Sequence, residues 1–400
     1  MRGSCVLQAA VAAAFLTTAA MAQPVPNTLS ADEIAQGWIL LWDGAGTFGW
    51  DPVARAEWKT ADGSLSMPSG SFTWLRHRTP FADFVLKVDF RMKLNEADSG
   101  IFIRAARDGD PSRTGYQINI NNMNEEWSTG SLVFRHKADP SIGKTSVNAW
   151  HTYEITADGD HITALLDGRK TVDVRDASSR TGYIGLQFLK GEEIEFRNVK
   201  LRPLGSQPAF NGTDLTGWER VDRPNVQAPP EWSAREGAIH VEKGPGQLET
   251  VSAYANFVLQ LEVRANARDE NHHPNSGVFW RGDRGSFWSG YESQIRNEFK
   301  GGDRSQPVDF GTGGIYNRQA ARRVVSSDNE FFTKTIVAYG KHMATWVNGV
   351  QVACFDDDRP EGPNARQQAR LAPGPISLQA HDPTTNLDFR NIRIATFPEK

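Results

Sequence analysis

The 400-residue chain has little cysteine: Cys5 and Cys354 are its two thiols. Cys5 falls in an N-terminal stretch that reads as a cleavable leader, so the processed chain keeps one thiol and can form no intrachain disulfide. Stability then rests on packed cores. Cys354 lies in the apolar stretch from Val350 to Phe355, where a buried, unreactive thiol is expected. No block of one charge stands out either: 44 basic and 48 acidic residues give a formal charge of -4. Scattered cations offer no stripe for neutralising phosphates, which argues against a nucleic-acid partner. No segment approaches the roughly 20 apolar residues of a bilayer span, so no membrane insertion is expected. No G-x-G-x-x-G follows a strand-like segment, so the chain carries no dinucleotide fingerprint.

The leader itself consists of Arg2, an apolar run from Val6 to Phe15, and the small residues Ala20-Met21-Ala22 before Gln23. This is the form of a signal peptide over residues 1–22 with an A-x-A-type cleavage site. It implies a periplasmic or secreted protein.

The main positive feature is a repeat. Trp42-Asp43-Gly44 through Trp50 is answered by Phe210-Asn211-Gly212 through Trp218, and Phe84 to Arg91 by Phe257 to Arg264. Ser99-Gly100-Ile101-Phe102-Ile103-Arg104 is answered by Ser276-Gly277-Val278-Phe279-Trp280-Arg281, and Gly115-Tyr116-Gln117-Ile118-Asn119-Ile120 by Gly290-Tyr291-Glu292-Ser293-Gln294-Ile295. Both copies close on Leu-Gln followed by Phe-Arg-Asn, at Leu186 to Asn198 and Leu378 to Asn391. The matched segments alternate apolar and polar residues, the mark of half-buried antiparallel strands. Asp62-Gly63, Asp158-Gly159, Asp167-Gly168 and Asn348-Gly349 supply hairpin turns. The expectation is an all-β protein of two tandem antiparallel sandwiches, residues 23–204 and 205–400, joined by a short linker from Pro203 to Pro208. One helix is predicted, Ser30 to Gln36, with Ser30 and Glu33 as a capping box.

These residues resemble the 3-keto-disaccharide hydrolase domain family, whose fold is a concanavalin A-like jelly roll. The resemblance is carried by Asn211-Gly212 with Leu215-Thr216-Gly217-Trp218, by Asn275 to Arg281, by Gly290 to Ile295, and by Leu378-Gln379-Ala380-His381 with Phe389-Arg390-Asn391-Ile392. It covers nearly the whole chain after the leader, closely in copy two and loosely in copy one. It implies a sheet face that holds a sugar, and cleavage of glycosides already oxidised at C3. No cofactor is implied, and a separate oxidoreductase must supply the keto sugar. The Glu-x-Asp-x(x)-Glu pattern of glucanases is absent, since Glu96-Ala97-Asp98 lacks its closing glutamate.

A ketone at C3 acidifies the C2 hydrogen, so the chemistry needs a base over C2, an acid for the departing oxygen, and a cation or donor at the enolate. In copy two, Glu292 and Gln294 share one strand face, Arg281 ends the neighbouring strand, and His381-Asp382 follows the Leu378-Gln379 strand. Glu292 or His381 is then the base and the other the acid, with Arg281 and Gln294 at the enolate oxygen. Tyr316, Gln379, Asp382, Trp280, Trp288 and Arg104 complete the candidate substrate-binding set. Plainer readings stand beside these: Glu292 and Arg281 as a cross-strand surface pair, and His381 as a loop cap through Asp382. Asp269-Glu270-Asn271-His272-His273 is expected to be a solvated loop rather than a metal site, and Asp356-Asp357-Asp358 a surface turn. Copy one has Gln117 for Glu292, Asn119 for Gln294, Val133 for Tyr316 and Leu189 for His381. It is expected to bind or scaffold rather than catalyse. A non-catalytic carbohydrate-binding protein and a conventional glycoside hydrolase are the competing functions.

Overall fold

The computed structural model describes residues 25–399 apart from 55, 70–71 and 190–192. The proposed leader, 1–22, lies outside the described residues. No helix among the described residues is long and apolar enough to cross a membrane. The fold is all-β. Each copy pairs an eight-stranded antiparallel sheet with a five-stranded one, and the strand order of both sheets in copy one recurs in copy two.

The sandwiches follow from the period-two pattern. Along Phe84–Met92, the side chains of Phe84, Leu86, Val88 and Phe90 are buried, while Lys87, Asp89 and Arg91 between them are partly exposed. Hairpins turn where the backbone must enter the left-handed region: Asp62-Gly63, Asp167-Gly168 and Asn348-Gly349 all have positive φ. Trp50 and Trp218 occupy the same place in each copy, buried, with the indole N–H donating to the carbonyl nine residues earlier, Leu41 at 2.7 Å and Ala209 at 2.9 Å.

The predicted helix spans Ala31–Ala35, and both arms of the Ser30–Glu33 capping box are formed. A second short helix, Pro111–Thr114, has no periodic pattern to announce it. Asp110 caps it, with proline at its first position.

The linker is short: copy one ends on the strand Ile194–Pro203, and Gln207–Pro208 already pairs with the last strand of copy two. The copies are packed together. Val337, Ala344 and Trp346 of copy two join the copy-one core. The Trp346 indole donates to Leu40 O at 2.8 Å, Arg323 reaches Asp43 at 3.0 Å, and Thr79 Oγ1 meets His342 Nε2 at 2.9 Å. Cys354 is buried, and burial pushes its thiol up to about 12.

The five-stranded sheet of copy two positions the candidate site. Its strands lie in the order Trp218–Asp222, Gly246–Tyr254, Gly374–Ala380, Ser276–Trp280, Tyr291–Ile295. Val278, Trp280, Tyr291 and Leu378 face the core, so Glu292, Gln294 and Gln379 stand on the opposite face.

Candidate active-site cleft

On that outer face lies a cleft of about 310 Å³, lined by Asn275, Trp288, Glu292, Gln294, Asp309, Tyr316, Arg366, Gln379 and His381. Glu292 is 5% exposed. Register places it beside Phe279, and Gln294 beside Gly277. A Cβ on Gly277 would stand 2.5 Å from Glu292 Oε1, so the missing side chain is what lets the carboxyl lie across the neighbouring strand. Burial raises the Glu292 pKa, and the nearby charges of Arg366, His381 and Lys334 only partly oppose it.

His381 begins the loop after Gly374–Ala380. Its Nδ1 lies 2.8 Å from Asp382 Oδ2, and its ring stacks on Trp288 at 5.3 Å between centroids and 10° between planes. A carboxylate on Nδ1 favours the tautomer of the neutral imidazole that carries its proton there and its lone pair on Nε2. Asn275 Nδ2 is 3.4 Å from that Nε2. The His381 imidazole, followed by the hydroxyl and amide of Thr384, holds the Asp382 carboxyl well below the usual carboxylate range despite its partial burial. The chain of contacts continues outward: Thr384 Oγ1 donates to Asp382 Oδ1 at 2.6 Å and is 3.0 Å from His272 Nε2. His273 pairs with Asp328 at 2.6 Å. The 269–273 run is therefore tied into the fold through its histidines rather than wholly solvated. Among the described residues no group of three or more His, Cys, Asp or Glu could hold a metal ion.

The cation of the cleft is Arg366, which the sequence reading missed. Its Nη2 donates to Glu292 Oε2 at 3.1 Å, and Nε and Nη2 donate to Trp288 O at 3.3 and 3.2 Å. It thus couples the acid to the tryptophan that backs the histidine. Lys334 stands beneath the strand as a further nitrogen donor. It is buried in the core and donates to the carbonyls of Ser293 and Gln294 at 2.8 and 2.7 Å, and desolvation lowers its pKa well below the ordinary lysine value.

Three expected site residues lie elsewhere. Arg281 is fully buried and donates to the carbonyls of Ala255, Gly340 and Arg370 at 2.8, 2.7 and 3.1 Å and to Asn256 Oδ1 at 3.2 Å. Burial pulls its guanidinium down to about 10. Arg104 does the same in copy one, donating to Ala82 O and Gly159 O at 2.7 Å and pairing with Asp83 at 2.7 Å. The physical reason is backbone handedness. Both arginines have positive φ, 54° and 49°, which breaks the alternation that would have aimed them at the outer face and turns them into inter-strand clamps. Trp280 is in the core, stacked on Tyr291 at 5.7 Å.

Gln294 lines the cleft, but its Nε2 donates to Asp309 O at 3.0 Å and Oδ2 at 2.8 Å, and its Oε1 accepts from the Ile295 amide. It holds the Asp309 loop. Asp357, expected in a surface turn, is buried and accepts from Tyr291 Oη at 2.7 Å. Asn275 Oδ1, Gln379 Oε1 and Trp288 Nε1 are buried with no hydrogen-bond partner among the described residues. Three orphaned polar atoms around one cleft are what a polyhydroxylated ligand would satisfy.

Among solved structures, a protein of Parabacteroides distasonis provisionally named a glycosyl hydrolase is 18% identical, with a TM-score of 0.41 over 45% of this chain and 100% of its own. The carbohydrate-binding module CBM66 of Bacillus subtilis is 20% identical, with a TM-score of 0.31 over 38% of this chain and 94% of its own. No curated protein matches the sequence. The model of the 3-keto-alpha-glucoside-1,2-lyase-like domain matches twice, over residues 37–202 and 205–395. With two copies accounting for nearly all of the described residues, the chain belongs to the 3-keto-alpha-glucoside-1,2-lyase-like domain family.

Proposed function

We propose that copy two cleaves 3-keto-glycosides by elimination across C1 and C2. The observation that carries this reading is the pairing, in one cleft, of a histidine oriented by a carboxylate with a buried carboxyl whose pKa is raised. Their environments push the two groups toward opposite duties. His381 Nε2 takes the C2 proton. The C–H electron pair forms the C2–C3 enolate, whose charge rests on the C3 oxygen. Its collapse forms the C1–C2 double bond as the C1–O bond breaks, and Glu292 donates its proton to the departing oxygen. Ionised Glu292 takes a proton from water as the water oxygen adds to C1, and the His381 imidazolium, after exchange with solvent, protonates C2; this leaves the 3-keto sugar and restores both groups, so that the net reaction is hydrolysis. Arg366, together with the phenol of Tyr316, takes the place at the enolate that Arg281 was expected to fill.

A keto sugar must come from another protein, an oxidoreductase acting at C3. The test compares a 3-keto-glucoside with its unoxidised parent. Release of the aglycone from the keto form alone supports the elimination. Release from both indicates a conventional glycoside hydrolase, and binding of either without release indicates a carbohydrate-binding protein.

A further inference from the structure

The copy-one sheet carries its own cleft. The strands Trp50–Pro52, Thr73–His77, Tyr183–Phe188, Ser99–Ala105 and Tyr116–Ile120 repeat the order of the copy-two sheet, and a cleft of about 490 Å³ opens on their outer face. It shares no residue with the copy-two cleft. Its floor is a pair of amides. Gln117, at the Glu292 position, donates through Nε2 to Gln187 Oε1 at 2.8 Å and to Asn119 Oδ1 at 3.0 Å. Gln187 stands at the Gln379 position, so the orphaned oxygen of copy two has a partner in copy one. Once joined, the two amides still hold an acceptor, Gln117 Oε1, and donor hydrogens, on Gln187 Nε2.

The walls are aromatic. Trp74 and Phe102 meet edge to face at 5.4 Å between centroids, and Phe72 at the rim is 49% exposed. Among the described residues the one charge in the lining is Asp110, which accepts from Ser112 N at 2.9 Å and Ser112 Oγ at 2.6 Å to cap the Pro111–Thr114 helix and lies 3.5 Å from Arg113. An anionic ligand would find no counter-charge among the described lining residues, and the carboxylate a cation would seek is already held by Ser112 and Arg113. An apolar ligand would leave the amide pair unsatisfied. A sugar ring meets both demands, with a C–H face for the aromatic wall and hydroxyls that both donate and accept for the amides.

We propose that the copy-one cleft is a second ligand site, which binds a neutral sugar unit without reacting with it. The inference rests on the carbohydrate reading of the family and not on the copy-two chemistry. The test is calorimetric titration of the full chain with 4-nitrophenyl glucoside and with 4-nitrophenol alone, repeated for Phe72→Ala and Gln187→Leu. The dissociation constant of the glucoside should rise about tenfold in each variant, with unchanged melting temperature in Phe72→Ala. Four outcomes overturn the proposal: glucoside affinity unchanged in Phe72→Ala; glucoside affinity unchanged in a folded Gln187→Leu; no glucoside binding at about 10 mM; or 4-nitrophenol binding as tightly as the glucoside. Turnover of a 3-keto-glucoside is read in a separate assay, so failure of the elimination chemistry leaves this titration interpretable.

Discussion

The two copies share every strand of their sheets and differ in what stands on one face. Copy two places a buried carboxyl and a histidine in one cleft, with Arg366 on the carboxyl and Lys334 beneath the strand. Copy one answers with amides, and beneath the strand Tyr153 donates from its hydroxyl to Asn119 O at 2.7 Å, where Lys334 donates to Gln294 O in copy two. A side-chain hydrogen bond to that carbonyl recurs in both copies, from a phenol in copy one and from a lysine amine in copy two. What persists in both copies is structural: the buried tryptophan pair, the hairpin turns, and the arginine clamps Arg104 and Arg281. What differs is the ionisable set. The lesson is that persistence across the copies marks scaffold, and divergence marks chemistry.

The most disruptive change to this comparison is Glu292→Gln, which gives copy two the residue of copy one. Steady-state turnover of a 3-keto-glucoside should fall by about 10² to 10⁴, and His381→Ala should fall within the same range. Glu292→Gln should at the same time stabilise the fold at neutral pH. Because burial raises the Glu292 pKa, its contribution to stability is present below the ordinary value of 4.5 and is lost as pH rises through the folded-state value. Denaturant melts should therefore show the variant ahead at pH 7 and level with the wild type below pH 4.5.

Arg281→Met removes a clamp rather than a catalyst. Four acceptors lose a buried donor, so a loss of about 3 kcal/mol or more is expected in urea unfolding. Arg104→Met should cost copy one comparably. A catalytic arginine would instead lower turnover and leave the melt unmoved.

Arg366→Met should lower turnover and also move its pH profile. Without the cation, the Glu292 carboxyl keeps its proton to higher pH, so the alkaline limb shifts upward. The smallest effect expected is from Gln117→Glu placed on the Glu292→Gln background. It should restore no turnover, because Leu189 and Val133 stand where copy two has His381 and Tyr316.

The sandwiches were legible because alternation and turn residues are local properties, and the repeat supplied the same evidence twice. Glu292, Gln379 and His381 were legible for the same reason: each lies on or just after a patterned strand. Arg281 was misread because a left-handed residue reverses the face that alternation assigns, and an arginine is not a residue type that announces a positive φ. Its presence in copy one, which lacks the ionisable set, was the available warning. Trp280 was answerable from the sequence, since it is out of phase with Phe279, the strand neighbour of Glu292. Arg366 was not. It sits in a loop between Val350–Asp356 and Gly374–Ala380 with no strand pattern, and its role depends on a loop path that periodicity does not encode.

The central claim is that copy two abstracts the C2 proton and that copy one does not. The most direct test is proton exchange at C2 of a 3-keto-glucoside in deuterated water, followed by NMR for the wild type, Glu292→Gln, His381→Ala and the Glu292→Gln/Gln117→Glu pair. The account predicts aglycone release with deuterium at C2 of the 3-keto product in the wild type, loss of both in His381→Ala, and no recovery in the paired variant. Aglycone release with C2 hydrogen retained, or full exchange and release in His381→Ala, would contradict it.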